Sequence, residues 1–310
     1  MLRNSSVYSF KIRSKVKEMI WRTKINEITK TKYPLVMAAF ARLSSVKFAA
    51  AFSNSGGLGI ITAMNYDLQD FKSEIIRMQT LTDKPFGINI TVVPPCVSGI
   101  HDKISQEDYL KYVEIAIDQG INIITTSAFQ ANFIGKRIKE AGCHWFHKCA
   151  LIRHALSAEK AGAEAITIIG MESAGFKNPY QHTTLMNLTV AKRLLKLPII
   201  AAGGIGDARG ILGALVMGAG AVCLGTAILC TEESPLNQLM KEQWLHTDIL
   251  TEQYHEALYH FALKGTRVPS PAIAFQKEIV PLKEFIEKLM NEAELIVKSW
   301  KIDEQEIKFS

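Results

Sequence analysis

Eight short apolar runs, each followed by a stretch of helical character, recur along this chain and constrain its fold more than any other feature. The runs begin at Pro34 (PLVMAA), Leu58 (LGIIT), Pro85 (PFGINI), Ile121 (INIITT), His144 (HWFHK), Glu164 (EAITII), Pro198 (PIIAAG) and Ala221 (AVCLG). The stretches between them, such as DLQDFKSEIIRMQTLTD and EDYLKYVEIAIDQG, mostly place apolar residues at i, i+3, i+4 and i+7, and several stop on glycine. Strand–helix alternation implies parallel strands joined by crossover helices. Eight such units over about 200 residues fit a closed barrel. A doubly wound open sheet usually has fewer strands and carries its glycine fingerprint near the first of them. The runs read as near-continuous apolar segments, as strands covered on both faces should. The expected class is α/β: a (β/α)8 TIM barrel with an additional C-terminal helical segment.

After Glu233 the alternation stops. The remainder reads as helices broken at Pro235, Pro269, Pro271 and Pro281. The chain therefore divides into a basic N-terminal extension (1–24), a barrel (25–234) and C-terminal helices (235–310) that form a lid or complete the barrel. In the extension Arg3, Lys11, Arg13, Lys15 and Lys17 all precede the first acid, Glu18. Such a stretch reads either as an organelle transit peptide or, more plainly, as a solvated helix whose cations face water. The five cysteines are odd in number and form no CxxC, so reduced thiols and a cytoplasmic setting are expected. A net charge of +6 is a mild excess with no basic, aromatic-interleaved face, so nucleic acid is not an expected partner. No apolar run nears the ~18 residues of a membrane span.

The segment IIAAGGIGDARGILGAL (199–215) ends its apolar run in two glycines. Gly204, Gly206 and Gly210 are spaced one residue too widely for a dinucleotide fingerprint. Position argues for another role. Gly203 and Gly204 end the seventh run, and Gly225 and Thr226 end the eighth. Loops after those two strands commonly form a phosphate site in barrel enzymes, where glycine admits close backbone approach and free N–H groups at a helix start meet the anion. Asp207 is the expected N-cap of the following helix, and Thr226 is a candidate cap for the next.

Several stretches resemble the nitronate monooxygenase family, which is similar to the flavin-type enoyl-acyl-carrier-protein reductases. They are FSNSGGLGIIT, LTDKPFGINI, HKCALIRHALSAEKAGAEAI, GMESAGF and LPIIAAGGIGDARGILGALVMGAGAVCLGTAILCTEES. The resemblance spans about Ile25 to Ser234, with an echo at KGTRV near Arg267. It implies an FMN-binding barrel that acts on a nitronate or similar small anion, with dioxygen or NAD(P)H as the second reactant. A homodimer is the default for such barrels. Carried over by position, Ala38, Ala39 and Phe40 lie beside the flavin ring. Asn89 and Lys148 are its polar contacts, and Ala174 and Gly175 line it. Gly203, Gly204, Gly225 and Thr226 hold the phosphate. This sequence departs from the family in the loop after the sixth run. The family's catalytic histidine falls on Phe176, its aspartate on Ile169, and the glycine two places after the histidine on Asn178. A phenyl ring neither takes nor gives a proton. Lys148, Phe176 and the loop residue His182 are therefore the candidate reactive-site groups, with Tyr180 a nearer alternative to His182. The implied alternatives to nitronate oxidation are NAD(P)H-dependent reduction of an enoyl thioester or quinone, and a flavin-binding protein without catalysis.

Other clusters read as structural. CHWFHKC (143–149) places Cys143, His147 and Cys149 on one strand face and His144 and Lys148 on the other, which is not zinc-site spacing, so no metal is expected. Ser105 and Asp108 are a helix-start pair. Glu172 reads as a structural turn residue, and Glu232 and Glu233 as a solvated helix start.

Overall fold

The computed structural model describes residues 21–41, 43–93, 104–175, 180, 182–259 and 268–300. Each of the eight runs is a strand. They are β1 (Leu35–Met37), β2 (Gly59–Thr62), β3 (Phe86–Val92), β4 (Ile123–Ala128), β5 (His144–Cys149), β6 (Ala165–Ile169), β7 (Ile199–Ala202) and β8 (Ala221–Leu224). All pair in parallel in the order β1-β8-β7-β6-β5-β4-β3-β2. Between β1 and β2 a bridge from Val36 to Leu58 closes the ring, with Met37 N donating to Leu58 O and Leu58 N to Leu35 O, each at 2.9 Å.

A helix precedes β1: α1 (Lys24–Thr29). The crossovers follow as α2 (Val46–Asn54), α3 (Leu68–Leu81), α4 (Gln106–Asp118), α5 (Asn132–Glu140), α6 (Ile152–Ala161), α7 (Thr184–Leu194) and α8 (Ala208–Val216). After β8 come α9 (Gln238–Leu245), α10 (Glu252–Tyr259) and α11 (Leu282–Ser299). Local chemistry explains their starts. Ser105 and Asp108 form a reciprocal capping box on α4, and Asp207 accepts from Gly210 N at 2.8 Å to cap α8. In α11, Leu282, Phe285, Ile286, Leu289, Met290 and Ala293 make one buried stripe at helical spacing. That stripe packs α11 against α8 and α2, where the outer ring needs its last helix. Glu233 is half-buried, and its carboxylate accepts from Leu282 N at 2.8 Å. It thus caps α11 rather than starting a solvated helix.

The segment before α11 turns back across the strand ends. Ser270 N donates to Thr226 Oγ1 at 3.3 Å, and Tyr254 Oη of α10 donates to Pro269 O at 2.9 Å. Tyr259, at the end of α10, has its phenol pKa pushed up by burial and by the nearby Glu172 carboxylate. The C-terminal region therefore both completes the outer ring and reaches the loops after β6 and β8. No helix among the described residues is long and apolar enough to cross a membrane.

Candidate active site

Strand alternation sorts the barrel's side chains. A Cβ on Gly135 of α5 would run into the Trp145 ring, so Trp145 lies under the outer helices. His147 and Cys149 share its face, and Phe146 and Lys148 point into the barrel. Lys148 pairs in register with Ser127 and Thr167, Thr91 with Ser127, Thr125 with Asn89, and Asn89 with Thr62. Paired residues of neighbouring strands share a face, so a polar arc crosses the C-terminal mouth from β2 to β6.

The arc is internally bonded. Thr125 Oγ1 donates to Asn89 Oδ1 at 2.9 Å, and Asn89 Nδ2 donates to Thr91 Oγ1 at 3.0 Å and Ser127 Oγ at 3.2 Å. Asn89 is only 1% exposed, and these bonds fix its amide. Thr62 Oγ1 is different: it is buried and has no hydrogen-bond partner among the described residues. An orphaned buried hydroxyl costs about 1–3 kcal/mol unless a polar atom meets it. Lys148 has no carboxylate within 4.0 Å among the described residues. It is close enough to the buried Cys223 thiol to draw its pKa down, against the larger upward push of burial.

Across the mouth, Gly203 (φ 110°) and Gly204 (φ 70°) occupy the left-handed region in succession. A Cβ on Gly203 would stand 2.8 Å from Thr184 Oγ1 and 3.3 Å from Ser173 N, and one on Gly204 3.0 Å from Glu172 Cβ. The turn is thus pressed against the β6–α7 loop, which brings Gly203 and Gly204 beside the residues just before Ala174 and Gly175. Glu172 accepts from Thr184 N at 2.9 Å and from Thr184 Oγ1 at 2.9 Å, capping α7. With α8 capped by Asp207, both neighbouring helix starts already hold a carboxylate. Thr226 also differs from expectation: no side chain caps its 3-10 turn, and its hydroxyl accepts from Ser270 N.

The remaining candidates take these places. Ala38 follows β1, its N–H bonded to Leu224 O at 2.9 Å, and is the nearest atom to a Cβ built on Gly225, at 3.5 Å. Ala39 and Phe40 continue that loop, which Asn65 Nδ2 holds by donating to Phe40 O at 3.2 Å. Ala174 is half-buried, and Gly175 is exposed. His182 O accepts from Met171 N at 2.9 Å, pinching the loop at its base; the His182 ring is exposed and lies 6.1 Å from that of Tyr180. Phe176 and Asn178 lie outside the described residues, as do Arg267 and the extension up to residue 20. Ile169 is buried, in register with Ala202. Thr62, Thr91, Thr125, Ser127 and Thr167 were not predicted as site residues. The alternate polar positions in NIT (89–91) and TTS (125–127) were the available signal.

The face split foreseen for residues 143–149 is present. His147 is 2% exposed, its Nδ1 2.8 Å from Thr126 Oγ1, and burial holds its pKa down at about 4, with a smaller contribution from His154. The unfolded chain takes up this proton near pH 6.5, so the contribution is complete above 6.5 and is lost as pH falls toward 4. At 1.36 kcal/mol per pH unit it amounts to about 3 kcal/mol. Thermal melts of wild type and His147→Gln should show the wild type losing more of its midpoint between pH 7 and pH 5. Parallel losses would refute the assignment.

A family model described as nitronate monooxygenase matches residues 22–252. A dehydrogenase of an octahydroindene carboxyl-CoA from Mycobacterium tuberculosis is 28% identical over 229 residues, covering 74% of this chain and 61% of the relative. A probable nitronate monooxygenase from Staphylococcus aureus is 28% identical over 253 residues, covering 71% of each. The chain thus spans about three fifths of the length of the first curated relatives it matches. Among solved structures, FabK from Thermotoga maritima superposes with a TM-score of 0.76 at 26% identity, covering 89% of this chain and 97% of that one. Nitroalkane oxidase from Streptomyces ansochromogenes shares the fold, with a TM-score of 0.73 at 19% identity over 88% of this chain and 99% of that one.

Proposed function

Because the chain belongs to the nitronate monooxygenase family, we propose that it is an FMN-dependent oxidoreductase that oxidises alkyl nitronates with dioxygen at the barrel mouth. The observation that carries this reading is the polar arc of Thr62, Asn89 and Lys148 facing the double-glycine turn across the barrel. FMN supplies the electron chemistry when bound. The chain's residues bind and orient. Gly203, Gly204, Gly225 and Thr226 offer backbone to the phosphate, and the small side chains of Ala38 and Ala39 leave room for the ring. Asn89, locked by its three bonds, lies on the arc that meets the ring's polar edge. Lys148 draws the anionic nitronate toward the ring through the low-dielectric interior.

None of the inward-facing residues named on the strand ends, from Thr62 round to Cys223, is a carboxylate or an imidazole. Ile169, on the same interior face, is apolar. A neutral nitroalkane must first lose a C–H proton, whereas a nitronate has already lost it. Oxygen uptake should therefore be at least tenfold faster, by kcat/KM, on a preformed nitronate than on its parent nitroalkane. Equal rates on the two forms would contradict this reading.

The same lack of a strand-borne base favours a second reading: reduction of an enoyl thioester or quinone with NAD(P)H. Hydride delivery to the flavin needs no such base, and one relative is named as a carboxyl-CoA dehydrogenase. Anaerobic mixing separates the two, since the first requires bleaching of the flavin by nitronate and the second by NADH or NADPH.

A further inference from the structure

Thr226 opens the 3-10 turn after β8 and is 8% exposed. Its hydroxyl accepts from Ser270 N at 3.3 Å, and among the described residues it donates to nothing. A buried hydroxyl with a lone pair engaged and its proton unused is a donor in want of an acceptor. Ser270 is itself buried and belongs to a strap, residues 269–276, that lies on both loops proposed to hold the phosphate. A Cβ on Gly206 would strike Ala272 O, so the strap sits directly against the β7–α8 loop, two residues past the double-glycine turn. The start of the strap is tied from outside, where the buried Tyr254 donates from Oη to Pro269 O at 2.9 Å. Its far end has no such tie: Gln276 is buried, and neither Oε1 nor Nε2 of its amide has a partner among the described residues. The side-chain hydrogen bonds that fix the strap's start are therefore those to Tyr254 and Thr226.

We infer that Ser270 is a positioning residue for the flavin phosphate: its N–H engages the Thr226 oxygen as an acceptor and leaves the hydroxyl proton to donate to the anion. The inference rests on the proposed phosphate seat at the ends of β7 and β8. The anionic oxygens of a phosphate only accept hydrogen bonds, so a donor whose polarity is set in advance complements them. The terminal hydroxyl of riboflavin can donate or accept and gains far less from a partner of fixed polarity. A hydroxyl that already accepts one bond is also polarised into a better donor. The strap, pressed against both loops, holds their backbone still around the same place. Ser270 and Thr226 thus make the seat selective for the phosphorylated flavin over riboflavin.

Fluorescence titration of the full-length protein, freed of flavin, with FMN and with riboflavin tests it. The wild type should bind FMN more tightly than riboflavin by about tenfold or more, the effect of one hydrogen bond to a charged group. Ser270→Pro suits the observed φ of −68°, removes the N–H and puts a ring carbon in its place. It should weaken FMN by about tenfold and riboflavin by less than about threefold. Ser270→Ala keeps the N–H and should leave the preference for FMN as it is. Tyr254→Phe frees Pro269 O without adding bulk at the seat, so it should lower FMN affinity more than riboflavin affinity, and it carries the test should Ser270→Pro not fold. An unchanged FMN-to-riboflavin ratio in the folded variants, beside a wild type that prefers FMN, overturns the inference and leaves the phosphate seat standing. A wild type that binds the two flavins alike, or neither, removes the seat and the inference with it.

Discussion

Gly203→Ala is expected to give a barrel that folds but purifies with less than a tenth of the wild-type flavin. Gly203 sits at φ 110°, a conformation that L side chains rarely adopt, and its added Cβ would stand 2.8 Å from Thr184 Oγ1. Backbone strain of this kind costs about 1–3 kcal/mol. The fold can bear that cost by shifting the turn, because the closed ring of strands is held elsewhere. The proposed phosphate seat cannot, because it consists of the turn's own backbone. Gly213→Ala is the control: its Cβ meets nothing within 4 Å, it lies inside α8, and it should keep its flavin with equal or greater stability. Flavin content read by absorbance, beside the melting temperature, checks both. Full flavin occupancy in Gly203→Ala would move the phosphate away from this turn.

Lys148→Met is expected to lower kcat/KM for a nitronate by about 10²–10³-fold while retaining flavin, the range for removing one preorganised charge-stabilising group from an active site. Methionine keeps the length and apolar bulk of the stem, so the interior of β5 stays filled. Reduction by NADH or NADPH should change far less, because the hydride donor does not depend on a cation at this position to neutralise a small anionic substrate. A change of less than about threefold on the nitronate would remove Lys148 from the account.

The fold was legible because each barrel strand is a local event: an apolar run bounded by proline, glycine or a helix cap. All eight begin within two residues of where the runs do. The double-glycine turn was legible for the same reason, since successive left-handed residues have few alternatives to glycine. The polar arc was less so. Asn89 and Lys148 stood out through family resemblance, but Thr62, Thr91 and Ser127 are ordinary strand residues until the register places them side by side. Glu172 and Glu233 read as turn and surface residues because their partners, Thr184 N and Leu282 N, lie 12 and 49 residues away. The place of the 269–276 segment over the β7 and β8 loops, and the orphaned amide of Gln276, are likewise tertiary facts.

The absorption spectrum of the purified wild-type protein, followed by heat release and identification of any bound chromophore, tests the central claim most directly. A yellow protein that releases FMN, beside a colourless Gly203→Ala, is the predicted result. A wild type that is colourless and gains no flavin spectrum when FMN is added would contradict it.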